Sequence, residues 1–474
     1  MERLFEKWAG EPCLSKVLLP AHGSARIYYI LKGTSKICLA ACNDDVRENE
    51  AFISFSDFFK AEGVNVPEVY AVANDRKTYL VQYLGDTTLY DWLQNRKAVS
   101  SSVFDDETVA LYKKVIDNLI SLQFAGRGLD FAKAYPREAF DRTSMQWDLN
   151  YFKYNFLKPA HIPFDEQLLE DDFGRLLDTL CNVDSSFFLY RDFQSRNIML
   201  SDDGDLYFID YQGGRRGALH YDLASLLFDA KAEIPHDVKE TLLDYYVERL
   251  SNFMAVDKDV FKQQFYLFAL MRVMQAMGAY GFRGFFEGKE HFIKSIPHAC
   301  RNMDYILSSG NITLSVPHLM QVWQRIAHSQ FSMKKDNATD KTLVLTVAVN
   351  SFSFRRGYPV ELAGNGGGFV FDCRALPNPG RYDYYKKMTG MDADVIDFLQ
   401  REPVVASFVD NAFAMVSASV QTYIDRGFAN LQVNFGCTGG RHRSVYCAEQ
   451  IAARIKEKYP CAVVLRHLEQ ERDV

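Results

Sequence analysis

The stretch that most constrains this chain is Tyr190-Arg191-Asp192-Phe193-Gln194-Ser195-Arg196-Asn197, followed by Ile209-Asp210-Tyr211-Gln212. An acid, an amide five residues on and a second acid are set among short apolar runs at 188–190, 198–200 and 206–209. Ser201-Asp202-Asp203-Gly204-Asp205 is a polar turn, so the last two runs read as strands joined by a reversal. Three polar side chains are thereby delivered to one end of a small β-patch. Asp192 can accept a proton from an attacking hydroxyl, while Asn197 and Asp210 can hold Mg²⁺ against nucleotide phosphates. A bare D-x-x-x-x-N arises by chance, and the flanking strands give this one its weight. The other reading is a pair of loop carboxylates that cap helices.

The surroundings of that patch follow an ordered change of period. Residues 1–100 read as a small β-rich lobe: apolar runs at 27–31 and 37–41 flank Lys32-Gly33-Thr34-Ser35, a hairpin signal. A helix is expected over 45–61, with Phe52, Phe55, Phe58 and Phe59 along one face and Gly63 and Pro67 closing it. Strands follow at 69–72 and 78–83. A large lobe, about 101–325, carries helical spacing at 109–125, 141–156, 164–179, 238–253 and 260–280. Residues 326–341 are polar and aperiodic, the expected linker. From 342 the chain alternates: strands at 343–349, 369–372, 431–435 and 462–465, helices at 395–399, 404–424 and 444–458. The expected fold class is an α+β two-lobed protein-kinase-like domain over 1–325, followed by a smaller α/β domain with a mostly parallel sheet over 342–474.

Composition narrows the function classes. Among 474 residues, 36 Phe and 26 Tyr favour well-filled cores over disorder. The net charge of −7 is uneven: from Lys341 onward 16 Lys and Arg face 14 Asp and Glu, while everything before sums to −9. The larger part repels nucleic acid and the last domain tolerates a polyanion. Nine scattered cysteines, a charged start at Met1-Glu2-Arg3 and no run of about 18 apolar residues predict reduced thiols, a cytoplasmic location and no membrane span.

Further constellations carry chemistry. Asp222 precedes an apolar helical run, as a helix cap or as a brace for the catalytic loop. His22-Gly23-Ser24-Ala25-Arg26 lies between strands; Gly23 and Ser24 let backbone N–H groups approach phosphates, and a plain hairpin is the alternative. Strand 37–41 holds no Lys, so Arg26 is expected to supply part of the phosphate-gripping charge. Gly436-Cys437-Thr438-Gly439-Gly440-Arg441-His442-Arg443-Ser444 joins a strand to a helix start, where successive N–H groups and three basic side chains form an oxyanion cradle; cations that only face solvent are the alternative. The Cys437-x5-Arg443 spacing also matches cysteine phosphatases, but no Asp stands out as the general acid, Asp372 and Asp383 being the ones left open. Trp147 and Tyr151 line an acceptor pocket or belong to the core.

Two resemblances follow from these residues. Residues about 20–310 resemble the aminoglycoside-phosphotransferase-like kinases, most of all the anomeric kinases for N-acetylmuramate and N-acetylglucosamine of cell-wall recycling. Gly63-Val64-Asn65-Val66-Pro67-Glu68-Val69, Leu84-Gly85-Asp86-Thr87-Thr88-Leu89, the two motifs above and Tyr221-Asp222-Leu223-Ala224-Ser225-Leu226-Leu227 carry it. The resemblance implies ATP and Mg²⁺, Asp192 as base, Asn197 and Asp210 as metal ligands, and Gln82 to Leu84 as the adenine-facing hinge. Tyr190 stands where a His is often found. Residues about 343–472 resemble the C-terminal domain of RapZ, an RNase adapter protein, through Ser351-Phe352-Ser353-Phe354, the 371–379 segment with Arg374, Met388-Thr389-Gly390 and the 436–444 loop. That implies an amino-sugar phosphate held by residues 437–444 and Arg374 and, in that family, contact with RNA. Here a sugar-kinase-like domain stands where that family has a Walker-type nucleotide domain. The expected function is an ATP-dependent phosphotransferase acting on an amino sugar at C1, with a sugar phosphate bound at the C-terminal domain. The alternative is a metabolite-sensing regulator that binds glucosamine-6-phosphate and RNA or a protein partner; a kinase for a drug or choline-like alcohol would share the mechanism. The oligomeric state stays open.

Overall fold

A computed structural model describes residues 1–20, 26–99, 103–201, 203–327, 329, 345–359 and 368–471. The chain divides into two compact units, Met1–Lys334 and Lys335–Val474.

The first unit opens with a five-stranded antiparallel sheet: β1 (Ser15–Leu18), β2 (Ile27–Lys32), β3 (Ile37–Cys42), β4 (Val69–Val72) and β5 (Thr78–Val81), in the order β1-β2-β3-β5-β4. The expected hairpin is β2–β3. Its turn is tied by Gly33 N–H to Lys36 O at 2.8 Å and by the Glu11 carboxylate, which accepts from Ser35 and Lys36 N–H. A helix not foreseen in the sequence, Glu2–Ala9, buries Phe5 against Leu31, Cys38, Ala40 and Leu80.

Helix Val46–Ala61 begins at Asp45, whose carboxylate accepts from Arg47 and Glu48 N–H. Its aromatic stripe ties the small lobe to the β-patch. Phe52 stacks on Tyr79 and Tyr211 (5.2 and 5.1 Å), and Phe59 meets Phe188 edge-on at 4.9 Å. Such pairs add about 0.5–1.5 kcal/mol each beyond area burial.

The large lobe carries four short strands: β6 (Phe187–Leu189), β7 (Ile198–Leu200), β8 (Leu206–Phe208) and β9 (Arg215–Gly217), paired antiparallel as β6–β9 and β7–β8. The helix expected over 141–156 is α-helical only over Arg142–Phe152 and widens to a π-turn over Lys153–Leu157. There the buried Lys153 ammonium reaches Glu166 and Glu170. Helix Lys258–Gly281 crosses this segment at Gly278 and Gly281, where a Cβ would run into Phe152 N and Asn155 O.

The second unit holds an all-parallel sheet of β10 (Thr346–Ser353), β11 (Gly368–Asp372), β12 (Asn430–Cys437) and β13 (Ala462–His467), in the order β11-β12-β10-β13. Val347, Val349, Val433 and Phe435 bury their side chains with residues of helices Pro403–Asp425 and Arg443–Lys458. Among the described residues, Pro403–Asp425 is one helix long and apolar enough, by length and composition, to cross a membrane. Its Val405, Val409, Ala412, Val416 and Val420 pack in the core of this unit, and its Asp410 pairs with Arg454 at 2.7 Å. Of the expected linker, residues 328 and 330–341 lie outside the described residues.

Candidate functional site

The loop after β6 is clamped from three sides. Asp222, fully buried in the first turn of helix Leu219–Leu227, accepts from Tyr190 N–H (2.6 Å) and Arg191 N–H (3.0 Å). Burial pushes its pKa up to about 7 against the pull of those donors. Arg191 bends the chain at φ +85°, a left-handed value that costs energy in a residue with a Cβ. A bidentate pair with Asp148 (2.6 and 2.7 Å) and the rings of Phe140 and Tyr221 hold it there. Ser195 donates both Oγ–H (2.7 Å) and N–H (3.3 Å) to the buried Asp229.

This clamping presents Asp192 half-exposed. Its Oδ1 lies 3.4 Å from Gln194 Nε2 and 3.7 Å from Arg272 Nη2. Asn197 donates its Nδ2–H to the Asp192 carbonyl at 2.8 Å, which leaves Oδ1 as its acceptor atom. Ile209 N–H donates to Asn197 O at 3.0 Å, and Tyr190 O–H donates to Ile209 O, so Asn197 and Asp210 are carried on one hydrogen-bonded frame. Asp210 has φ +69° and accepts from Gln212 Nε2 at 2.6 Å. Although its side chain is exposed, the surrounding protein pushes its pKa up to about 6; the negative charges of Asp192 and Glu48 add to this, while Gln212 and Arg26 oppose it.

The donor set fits Mg²⁺ bound with a nucleotide. Asn197 Oδ1 and the Asp210 carboxylate are hard oxygens, and Mg²⁺ is typically held by one or two carboxylates, waters and substrate phosphates. Among the described residues no group of three or more His, Cys, Asp or Glu is arranged to hold a metal by itself.

Arg26, just before β2, is nearly buried, with Nη2 3.3 Å from Glu48 Oε1 on helix Val46–Ala61 and Nη1 donating to Tyr28 O–H at 3.4 Å. Gly23 and Ser24 lie outside the described residues. Gln82 closes β5 against Glu68 (N–H to O, 2.9 Å), and Leu84 is half-buried in the segment that leads to helix Leu89–Val99. Near Asp192 lies a small recess of about 10 Å³, lined in part by Gln194, Ser225, Asp229, Arg272 and Tyr280. Trp147, half-exposed beneath Arg137, and Tyr151, which faces Phe282, are not among its walls.

Asp148, Asp229, Glu48 and Arg272 were missed in the sequence. Arg272 carried a usable signal: it is a lone cation in Leu270-Met271-Arg272-Val273-Met274, and a buried charge needs a partner.

In the second unit the loop after β12 forms a separate cleft of about 290 Å³. Cys437, Thr438, Gly439, Arg441, His442 and Arg443 line it, joined by Asn378 and Gly380, which the sequence reading did not single out. Gly440 has φ +65°, and a Cβ there would press on the Ser353 backbone. Ser353 Oγ–H donates to Thr438 O at 2.7 Å, and the His442 ring sits 2.9 Å from Tyr385 O. Arg443 is buried and spends Nη1 on the carbonyls of Arg374 (2.7 Å) and Leu376 (3.0 Å). Arg374 is not brought to the cleft; it pairs with Asp372 and lies 4.2 Å from the Phe354 ring centre. Gly440 and Ser444 are not among the lining residues either, Ser444 Oγ lying 3.1 Å from Cys437 Sγ. Hydrogen bonding to Arg374 holds the Asp372 carboxyl below the usual carboxylate range, which disfavours it as a proton donor to a leaving group.

Comparison with known proteins matches both units. Residues 18–257 fit the model of the phosphotransferase enzyme family, and residues 345–471 fit that of the RapZ C-terminal domain. The chain is 36% identical over 137 residues to a nucleotide-binding protein of Marinobacter nauticus, which covers 29% of this chain and 45% of that protein. It is 40% identical over 132 residues to a nucleotide-binding protein of Dinoroseobacter shibae, covering 28% and 42%. It thus spans less than half the length of these curated relatives. Among solved structures, choline kinase LicA from Streptococcus pneumoniae superposes on 64% of this chain and 98% of its own, at 16% identity and a TM-score of 0.42. The chain belongs to the phosphotransferase enzyme family and carries a RapZ C-terminal domain.

Proposed function

We propose that the first unit transfers the γ-phosphoryl group of ATP to the C1 hydroxyl of an N-acetylated amino sugar, in cell-wall sugar recycling, and that the second unit binds a sugar phosphate. The observation that carries this reading is the convergence of Asp192, Asn197 and Asp210 on one braced frame. Asp192 accepts the hydroxyl proton as the sugar oxygen attacks phosphorus and ADP leaves. An anomeric hydroxyl is more acidic than an ordinary alcohol, so a carboxylate base suffices. Mg²⁺, held by Asn197 Oδ1 and Asp210, neutralises charge on the phosphates. Arg26 steadies the phosphates, with Glu48 orienting it as the αC glutamate orients the strand lysine of protein kinases. Gln82 and Leu84 face the adenine, and Asp222 braces the loop without touching substrate.

The missing lysine in strand 37–41 favoured a non-catalytic metabolite sensor; the Arg26–Glu48 pair supplies a cation in its stead. In the second cleft, loop N–H groups, Arg441 and His442 suit a phosphate dianion.

The protein is incubated with Mg-ATP and, separately, N-acetylmuramate, N-acetylglucosamine, choline and kanamycin, and products are read by phosphorus NMR. A sugar 1-phosphate is expected. Phosphorylation of choline or kanamycin alone, or of C6, contradicts the reading.

A further inference from the structure

The cleft of the second unit holds more than anion binding needs. Cys437 ends β12 where the chain turns toward helix Arg443–Lys458, and it forms part of the cleft wall. Its Sγ lies 3.1 Å from the Oγ of the fully buried Ser444, a hydroxyl that can donate to a sulfur anion. No side chain caps the N-terminus of that helix, whose first N–H groups suit an anion. Thiolates are favoured at helix N-termini beside cations, and the thiolate is the nucleophilic form of cysteine.

Arg443, on the same wall, gives an independent pointer to a ligand. It is 5% exposed, and the carbonyls of Arg374 and Leu376 pin its Nη1 at 2.7 and 3.0 Å. Its Nε is buried and has no hydrogen-bond partner among the described residues. A buried donor left in this way costs free energy that an incoming acceptor recovers. With one end pinned, the plane of the guanidinium is fixed, and a fixed fork of N–H donors matches phosphoryl oxygens. His442 completes the set. Its Nε2 lies 2.9 Å from Tyr385 O, while its Nδ1 lies on the side of Gly380, another wall residue, where a Cβ would come within 3.4 Å of it.

We infer that Cys437 is a nucleophile and that the second unit hydrolyses a small phosphomonoester. The inference rests on the reading that this cleft binds a sugar phosphate, and adds a reaction to it. The Cys437 thiolate attacks phosphorus; an S–P bond forms as the P–O bond to the alcohol breaks, and the leaving oxygen takes a proton from the His442 imidazolium. Water then attacks phosphorus and gives a proton to His442. The S–P bond breaks, which returns the thiolate and releases inorganic phosphate. Arg443 and the loop N–H groups hold the non-bridging oxygens through both steps.

The test uses the full chain without ATP, so that the first unit is idle. Phosphate release is followed from glucosamine-6-phosphate, N-acetylglucosamine 1-phosphate and p-nitrophenyl phosphate. Calorimetry gives the affinity for glucosamine-6-phosphate and for inorganic phosphate, and phosphorus NMR reads exchange of heavy oxygen from labelled water into inorganic phosphate. Release from at least one ester and oxygen exchange are both expected, each falling about a thousandfold in Cys437→Ser. Wild-type protein quenched during turnover should carry one phosphoryl group on the peptide that contains Cys437, a readout that does not depend on how the variant folds. Binding of glucosamine-6-phosphate with neither release nor exchange keeps the binding reading and overturns the inference. So does release undiminished in Cys437→Ser, or turnover with no phosphoryl group on that peptide. Failure of both glucosamine-6-phosphate and inorganic phosphate to bind overturns the two together.

Discussion

In the proposed phosphate site the ion pair of Arg26 with Glu48 stands in for the common lysine. The guanidinium is nearly buried while the Glu48 carboxylate is partly open, so removing the cation leaves the acid facing incoming phosphates. Arg26→Ala is expected to raise KM for ATP about tenfold or more, with a smaller fall in kcat, and Arg26→Lys to recover part of it; initial-rate kinetics against ATP checks this. An unchanged KM in Arg26→Ala would remove the residue from the phosphate site. Arg26 came forward as the candidate because strand 37–41 holds no Lys and Arg26 is among the nearest cations. Its partner was not, since Glu48 reads as an ordinary first-turn acid. Asp148 and Asp229 were hidden for a related reason. Asp148 meets Arg191 across 43 residues of chain and Asp229 meets Ser195 across 34, pairings that no local pattern encodes.

Elements were legible wherever burial imposes a period. Helix Val46–Ala61, strands β2 to β8 and the four strands of the second unit lie where alternating or 3.6-residue spacing puts them, whereas β1, Ser15–Leu18, was not foreseen. Strand β9 escaped because Arg215-Arg216-Gly217 has no apolar pattern; its place is set by pairing with β6. Helices Leu219–Leu227 and Lys258–Gly281 hold a feature visible only once they pack: His220 stacks on Phe261 and Phe268 (4.1 and 5.3 Å), and neither ring nitrogen has a hydrogen-bond partner among the described residues. Burial pushes its pKa down to about 3. The unfolded chain then binds a proton that the folded chain refuses, so stability is full above about pH 6.5 and falls as pH drops toward 3. Between pH 7 and 5 this group alone should cost about 2 kcal/mol. His220→Phe is expected to lose less stability than the wild type over that interval in denaturant titrations. Equal losses would show that the ring is protonated in the folded state.

At the scale of the molecule, two units with separate cores make separate predictions. Calorimetry of the full chain should show two transitions. Glucosamine-6-phosphate should raise only the one assigned, from residues 335–474 alone, to the C-terminal unit, by about 2.7 kcal/mol at a hundredfold excess over Kd. A shift of the other transition would place the phosphosugar in the first unit. The charge division visible in the sequence falls near the same boundary, with −9 before Lys341 and +2 after it.

The most direct measurement compares wild type and Asp192→Asn in a single turnover of Mg-ATP with an accepted amino sugar, alongside nucleotide affinity. If Asp192 takes the proton in a cleft whose metal ligands are Asn197 and Asp210, the rate should fall by about three orders of magnitude or more while ATP affinity stays within a few fold. Transfer at an undiminished rate would contradict the assignment of Asp192 and the chemistry built on it.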